Sequence, residues 1–183
     1  MGRRVGVLVS GAGSNLQALL DSGVDVVAVA SNTAGAGALA RAAGAGVAIA
    51  VFPLEGFADR DARDLAMAEW LEGQGVELVV CAGYMQLLRP ALLDRFPDAV
   101  VNVHPALLPA FPGAHAVDDA LAAGVPETGA TVHLVDAGVD TGRVLRQERV
   151  PIVVGDTIES LHARIRDVEH RLLPEVVKEL ADG

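Results

Sequence analysis

The sequence predicts a single α/β domain, in which helices cover both faces of a mainly parallel β-sheet that ends in an antiparallel edge. In the amino-terminal half, short and almost continuously apolar segments alternate with segments of helical apolar spacing, as in parallel strands joined by crossover helices. After residue 104 this alternation breaks, and two half-buried strands follow. The length of 183 residues fits one domain, which we expect to span 1–183.

The alternation sets the order of the predicted elements. β-Branched apolar runs that end in a glycine or polar turn predict strands at 5–10, 24–30, 47–52, 77–82 and 99–103. Apolar residues three or four apart predict the intervening helices at 16–20, 37–43 and 58–71. Beyond the break, the pattern predicts a proline-rich loop at 105–113, a short helix near 117–122, and strands at 131–135 and 144–150 around an acidic loop at 136–142.

A final helix completes the predicted fold. Asp156 and Glu159 have the spacing of a capping box at its start, with Asp in place of the usual Ser or Thr. The apolar stripe that follows consists of Ile158, Leu161, Ile165, Val168 and Leu172. Pro174 should kink or restart this helix, because proline lacks a backbone N–H and its ring clashes with the preceding turn.

Charge and composition exclude several classes of protein. The chain has 14 Lys and Arg against 24 Asp and Glu, and this net charge of −10 argues against broad binding to nucleic acid or an anionic membrane. The longest uncharged stretches, 26–40 and 99–117, are interrupted by polar residues, glycine or proline, so no membrane span is predicted. Cys81 is the single cysteine, which excludes an intramolecular disulfide and a cysteine-based zinc site. We therefore expect a cytoplasmic protein.

A glycine turn at 11–15, with the sequence GAGSN, joins the first strand to the first helix. Backbone N–H groups and the helix dipole favour an anion such as phosphate there. The turn is a poor dinucleotide motif, because Leu16 occupies the third glycine position and the second strand ends in Ser31-Asn32 instead of a ribose-binding acid. It predicts a site for a phosphate monoester, and the alternative is a plain tight turn.

Asn102 and His104 stand at the carboxyl end of the fifth strand, the edge where open α/β sheets bind ligands. Since they are two residues apart on a strand, they project to the same face. An amide beside an imidazole suits a carbonyl that becomes a tetrahedral oxyanion, because the amide donates to the oxygen and the imidazole donates or shuttles a proton. The alternative is a buried pair that is satisfied by loop backbone.

The acidic loop at 136–142 can bring a carboxylate toward His104, where it would orient the imidazole and stabilise its charged form. Taken alone, a loop of Asp and Gly is an ordinary turn. Its two aspartates, Asp136 and Asp140, do not have the spacing of a calcium-binding loop, so no metal is expected.

Together, these motifs resemble phosphoribosylglycinamide formyltransferases, the folate-dependent formyl-transferring enzymes of purine synthesis. The matching segments are 10–17 (SGAGSNLQ), 82–85 (AGYM), 102–109 (NVHPALLP), 111–115 (FPGAH), 139–142 (VDTG) and 169–170 (EH). The resemblance implies a Rossmann-like formyltransferase fold. It also implies that the amine of glycinamide ribonucleotide attacks the formyl carbon of 10-formyltetrahydrofolate, giving N-formylglycinamide ribonucleotide and tetrahydrofolate.

The resemblance also implies a role for each site residue. His104 would be the proton donor, Asn102 would stabilise the oxyanion, and Asp140 would support His104 and an ordered water. The residues implied to hold the ribonucleotide are Gly13, Ser14 and Asn15, at its phosphate, and Glu169. The residues implied to contact the folate are Arg60, Met85, Gln86, Leu87, Leu88 and Asn102. Without the resemblance, Met85, Leu87 and Leu88 would be core residues, Arg60 a solvated charge and Glu169 a surface residue.

Some positions depart from the family pattern or match it less specifically. Gln86 stands where some members have Arg, Arg143 where Pro is common, and Arg166 where Gln lines the ribonucleotide site. His115 and His133 match histidines of the family, and the alternative is that they are loop and strand-edge residues. The expected partners are small-molecule substrates, without nucleic acid or membrane, and the expected assembly is a monomer or a homodimer.

Four other functions are compatible with parts of this sequence. Formyltetrahydrofolate deformylase shares the Asn-x-His and Asp motifs, but it carries an extra amino-terminal domain and tends to have Lys at the position of Pro112. Methionyl-tRNA formyltransferase adds a basic carboxyl-terminal domain. An inactive folate- or nucleotide-binding module would not need Asn102, His104 and Asp140 together. A dinucleotide-dependent oxidoreductase is disfavoured by the glycine turn.

Overall fold

A seven-stranded sheet organises the protein in the computed structural model, which describes residues 2–183. Its strands are β1 (Val5–Val9), β2 (Val26–Ser31), β3 (Ala48–Val51), β4 (Leu78–Cys81), β5 (Val100–His104), β6 (Glu127–Leu134) and β7 (Val144–Pro151). The helices are α1 (Ser14–Asp21), α2 (Gly37–Gly44), α3 (Arg60–Gly73), α4 (Pro90–Leu93), α5 (Ala116–Ala122) and α6 (Ile158–Asp182). The predicted α/β class is confirmed.

The sheet has the order β3-β2-β1-β4-β5-β6-β7. The first five strands are parallel, whereas β6 runs antiparallel to β5 and β7 antiparallel to β6, which confirms the predicted antiparallel edge. Every residue of β1 and β4 is buried, as expected for strands covered on both faces. The chain reverses its direction of winding between these two neighbours, and open α/β sheets bind ligands at the carboxyl ends of strands at such a reversal.

The start of α6 differs from the sequence prediction. The helix is capped by Thr157, whose side chain accepts from the Ser160 backbone N–H while the Ser160 hydroxyl accepts from the Thr157 N–H. The proposed box of Asp156 and Glu159 is therefore wrong by one residue. Asp156 instead accepts from the Val153 N–H at 2.9 Å and pairs with Arg164, so it closes the preceding loop.

Pro174 does not restart the last helix, because α6 continues from Ile158 to Asp182 with the proline inside it. Leu172, Leu173, Val176 and Val177 are buried around it, and their packing offsets the hydrogen bond that proline cannot donate.

Strand β6 begins at Glu127, four residues before the predicted start. Gly129 lies within it, and a side chain there would collide with the Glu148 carbonyl oxygen of β7. The glycine thus permits a close approach between β6 and β7. Helix α4 was not predicted. Within residues 2–183, no helix combines the length and the apolarity needed to span a membrane.

Candidate active site

A cavity of about 620 Å³ opens at the carboxyl ends of β1, β4 and β5. The cavity is lined by four features that the sequence predicted to be functional: the glycine turn, the segment 85–88, the Asn102-His104 pair and the acidic loop. Glu169 reaches the same cavity from α6. Of the predicted site residues only Arg60 is not among its lining residues, since it lies exposed at the first position of α3.

The glycine turn leaves the start of α1 open. Gly13 adopts φ +80°, and a Cβ at that position would lie 2.5 Å from the Cβ of Ala38. Only glycine can adopt this positive φ easily and also fit this close to Ala38, because it has no Cβ. The first helical bond runs from the Gln17 N–H to the Gly13 carbonyl, and no side chain among residues 2–183 caps the helix. The N–H groups of the first turn are therefore available to an anion.

Helix α2 holds this turn in place. The Ala38 N–H donates to the Gly11 carbonyl at 3.0 Å, and Arg41 Nε donates to the Ala12 carbonyl at 2.8 Å. These bonds occupy carbonyl oxygens and keep the N–H groups facing the cavity. Arg41 also places a positive charge at the edge of the turn, which favours an anionic ligand.

Pairing of β5 with β6 brings a second histidine to the site. In the antiparallel register Asn102 lies opposite His133, and His104 lies opposite Thr131. His133 is buried, and its Nε2 lies 3.2 Å from Asn102 Nδ2. The sequence allows His133 to be either a histidine of the family pattern or a strand-edge residue. The structure places it in the polar cluster with Asn102, His104 and Asp140.

Asp140 joins the two histidines. Its Oδ2 lies 3.4 Å from His104 Nδ1, and its Oδ1 lies 3.5 Å from His133 Nε2. The Gly113 N–H donates to Oδ2 at 2.8 Å. The hydrogen bond from His133, with the Gly113 N–H and the charge of His104, lowers the pKa of Asp140 to about 2 against the opposing effect of burial. Asp140 is thus a carboxylate at neutral pH.

The hydrogen bonds of His133 define how Asn102 is oriented. His133 Nδ1 lies 2.8 Å from the Leu134 carbonyl, which can only accept, so Nδ1 carries a proton. In the neutral ring Nε2 then accepts from the Asn102 amide. If Nε2 also carries a proton, it donates to Asp140 and can no longer accept from Asn102. The Asn102 side chain then turns its amide oxygen toward His133, and this rotation frees its NH₂ group from the histidine.

His104 is held on both sides of its ring. Nδ1 faces Asp140, and Nε2 lies 2.8 Å from the carbonyl oxygen of Phe111, to which it donates.

Two residues that contact His104 have a strained backbone. Phe111 and Asp140 both have φ +53°, a left-handed conformation that costs a side-chain-bearing residue about 1–2 kcal/mol. Such strained residues cluster at functional sites.

Glu169 is a buried carboxyl group beside the glycine turn. It is only 4% exposed, and Asn15 Nδ2 donates to its Oε2 at 3.2 Å. Burial raises the pKa of Glu169 to about 7, although the Asn15 hydrogen bond and the charge of Arg166 favour the ionised form. The alternative of a surface residue is therefore wrong.

The segment 85–88 forms an apolar wall of the cavity. Met85 and Leu87 are 64% and 52% exposed, whereas Leu88 is buried. The alternative that all three are core residues therefore holds only for Leu88. Exposed apolar side chains at the mouth of a cavity are suited to an apolar ligand surface.

Two of the departures from the family pattern lie in different places. Arg166 lines the cavity on α6, together with His162, a residue that the sequence did not single out. Arg143 is exposed and is not among the lining residues, and its carbonyl accepts from the Leu134 N–H. Next to it, Gly142 has no space for a side chain, because a Cβ would collide with the Leu134 carbonyl oxygen.

A family model described as formyl transferase matches residues 3–177, nearly the whole chain. A phosphoribosylglycinamide formyltransferase of Mycobacterium tuberculosis is 49% identical, over 97% of this chain and 85% of that relative. The crystal structure of glycinamide ribonucleotide transformylase 1 from Symbiobacterium toebii matches with a TM-score of 0.97 and 46% identity, covering 100% of this chain and 89% of that one. That of phosphoribosylglycinamide formyltransferase from Streptococcus pneumoniae has a TM-score of 0.94 and 44% identity, over 97% and 98% of the two chains. The chain therefore belongs to the formyl transferase family, within its phosphoribosylglycinamide formyltransferase branch.

Proposed function

We propose that the protein transfers the formyl group of 10-formyltetrahydrofolate to the amino group of glycinamide ribonucleotide, a step of purine synthesis. The observation that carries this proposal is one cavity that holds both the cluster of Asn102, His104, His133 and Asp140 and the uncapped glycine turn. The first is suited to acyl transfer and the second to a phosphate ester. The proposal includes one domain over 1–183, a monomer or homodimer in the cytoplasm, and no nucleic-acid or membrane partner.

The transfer is an addition followed by an elimination. The amine nitrogen of the ribonucleotide forms a bond to the formyl carbon, and the formyl oxygen becomes an oxyanion. The bond from this carbon to N10 of the folate then breaks. The attacking nitrogen loses one proton and N10 gains one, so the protons balance. The formyl carbon keeps its oxidation state, so no oxidant or reductant is needed.

The polar cluster serves both stages. The Asn102 amide, once its NH₂ group faces the cavity, donates to the oxyanion. His104 donates its Nε2 proton to N10 as the bond to the formyl carbon breaks, and it then takes up the proton that the amine loses. The Asp140 carboxylate holds the imidazole ring in place during this exchange. Since His104 Nε2 donates to the Phe111 carbonyl, this contact must exchange for a contact with substrate before the proton can move.

The ribonucleotide lies along α1 and α6 in this proposal. Its phosphate accepts from the backbone N–H groups of Gly13, Ser14 and Asn15, where the helix dipole favours negative charge. Glu169 lies next to this turn through its bond to Asn15, so it is placed to accept from a hydroxyl or amine of the same substrate.

The folate lies against the other wall. Met85, Leu87 and Val139 are exposed and apolar at the mouth of the cavity, which suits the flat ring systems of a folate. Gln86, Leu88 and Asn102 complete the proposed contacts inside. Arg60, which is exposed and outside the lining, is proposed to meet the carboxylate tail of the folate where it leaves the cavity.

The direct test follows the absorbance of a 10-formyl folate analogue after adding purified protein, with and without glycinamide ribonucleotide. Folate product that appears only with the ribonucleotide is the expected result. Loss of the formyl group without the ribonucleotide would identify a hydrolase instead. No change in either mixture would contradict the proposal and favour an inactive binding module.

A further inference from the structure

Helix α3 contains a buried ion pair behind the folate wall of the cavity. Arg63 and Asp64 are both 0% exposed. Arg63 Nε donates to Asp64 Oδ1 at 2.8 Å, and Nη2 lies 2.8 Å from the same oxygen. Burying two charges carries a large desolvation cost, and apolar residues of similar volume often stabilise a fold equally well. Stability alone is therefore a weak explanation of this pair.

The remaining contacts of the pair converge on one segment. Arg63 Nη1 donates to Gln86 Oε1 at 3.3 Å, and Asp64 Oδ2 accepts from the backbone N–H of Arg89 at 2.8 Å. Residues 86 and 89 lie on either side of Leu87 and Leu88, so the ion pair holds both ends of this short stretch.

The segment depends on such side chains for its shape. It lies between β4 and α4 and belongs to neither. Among the hydrogen bonds of residues 2–183, none uses the backbone N–H of Gln86, Leu87 or Leu88. Its start is held by the Ser10 hydroxyl, which accepts from the Met85 N–H at 2.9 Å and donates to Asn32 at 2.6 Å. The segment thus keeps its backbone donors free because other residues hold its ends.

We propose that Arg63 and Asp64 are positioning residues that hold the segment 85–89 in the shape that binds the folate substrate. The inference rests on the proposed function, because it takes this segment as the folate wall. A wall without regular secondary structure binds a rigid ring well only if its geometry is set before binding. The buried pair sets that geometry from behind, without touching the substrate.

The decisive variant removes both charges together. Arg63→Met/Asp64→Leu leaves no unpaired buried charge, so it should fold with a melting temperature at or above that of the wild type. It nevertheless loses both bonds to the segment. We expect KM for the formyl folate to rise about 10-fold, with KM for the ribonucleotide within about twofold of the wild type.

The matched control is Glu72→Gln. Glu72 also lies on α3, and it pairs with Arg95 just beyond α4, but this pair is solvent-exposed and does not touch the segment. We expect no change in either KM. A calorimetric titration with tetrahydrofolate supplies a readout that needs no turnover, and the double variant should bind it about 10-fold more weakly than the wild type.

A folded double variant that binds tetrahydrofolate as tightly as the wild type would overturn the inference. So would an equal loss of affinity for both substrates, because that would indicate a general structural role. If the wild type binds tetrahydrofolate but transfers no formyl group, the proposed function fails, while the titration still decides whether the pair positions the segment. If the wild type binds no folate, both fail.

Discussion

The polar cluster of Asn102, His104, His133 and Asp140 is built from side chains, whereas the glycine turn at 11–15, two strands away in the same sheet, is built from backbone. In the cluster, the carboxylate of Asp140 connects two imidazole rings, and each ring has its second nitrogen bound to a carbonyl. In the turn, Gly13 contributes its conformation and its lack of a side chain, and the groups offered to a ligand are peptide N–H groups.

This difference separates two kinds of damage. Replacing a side chain of the cluster removes a proton carrier or a charge but leaves space and backbone intact, so turnover should suffer more than binding. Adding a side chain to the turn moves the backbone donors but leaves the reacting groups unchanged, so binding should suffer more than turnover. Substitutions in the two regions should therefore separate a loss of turnover from a loss of binding.

The largest effect is expected from His104→Ala, which removes the proposed proton carrier. We expect kcat to fall roughly 100-fold or more, the usual scale for the loss of a general acid or base. Affinity for the ribonucleotide should stay close to that of the wild type in a binding titration, because the glycine turn is unchanged. Unchanged turnover would contradict the role of His104.

A smaller loss of turnover is expected from Asp140→Asn. The amide keeps the size of the carboxylate but cannot stabilise a positive charge that forms on His104 during proton transfer, so kcat should fall on the order of tens of fold while His104 remains. The pH dependence gives a second measurement. Because the pKa of Asp140 is lowered from 3.8 to about 2, its ionised form stabilises the fold above pH 3.8, and this contribution is lost as pH falls toward about 2. Acid unfolding of the variant should lack that contribution.

Gly13→Val tests the backbone region. A Cβ would meet Ala38, and valine strongly disfavours a positive φ, so the turn must shift. We expect KM for the ribonucleotide to rise about 10-fold, with kcat at saturation within a few-fold of the wild type. A normal KM in a folded variant would show that the turn does not bind the phosphate.

The smallest effect on turnover is expected from Glu169→Gln, but this variant should change how stability depends on pH. The folded protein holds the Glu169 proton up to a pKa of about 7, compared with 4.5 for an unperturbed Glu, so the free energy of unfolding falls as pH rises between these values. Chemical denaturation at pH 5 and pH 8 should show a smaller decline in the variant, by up to about 3 kcal/mol. Equal declines would show that the pKa of Glu169 is not raised in the folded protein.

The sequence predicted the parts of this molecule that depend on local patterns. Apolar periodicity located the parallel strands, and the glycine turn and the Asn102-His104 pair followed from their place at strand ends. The position of His133 beside Asn102 depends on the register between β5 and β6, which no local pattern contains. The sequence also did not predict that Arg63 and Asp64 are buried, because neighbouring charges on a helix usually face solvent.

The cap of α6 and the start of β6 also could not be predicted from local sequence patterns. Asp156 and Thr157 are both common capping residues, and only the observed backbone shows that Thr157 caps α6. Gly129 is compatible with either a turn or a close approach of two strands, and only the pairing of β6 with β7 decides between them.

In the proposed function, a single cavity binds the folate and the amine while the formyl group is transferred between them. The most direct measurement uses 10-formyltetrahydrofolate labelled with ¹³C in the formyl group and follows the ribonucleotide by mass spectrometry. We predict that one labelled formyl group replaces one hydrogen of glycinamide ribonucleotide, in equal amount to the tetrahydrofolate formed. Labelled formate in place of labelled ribonucleotide would contradict the proposed transfer.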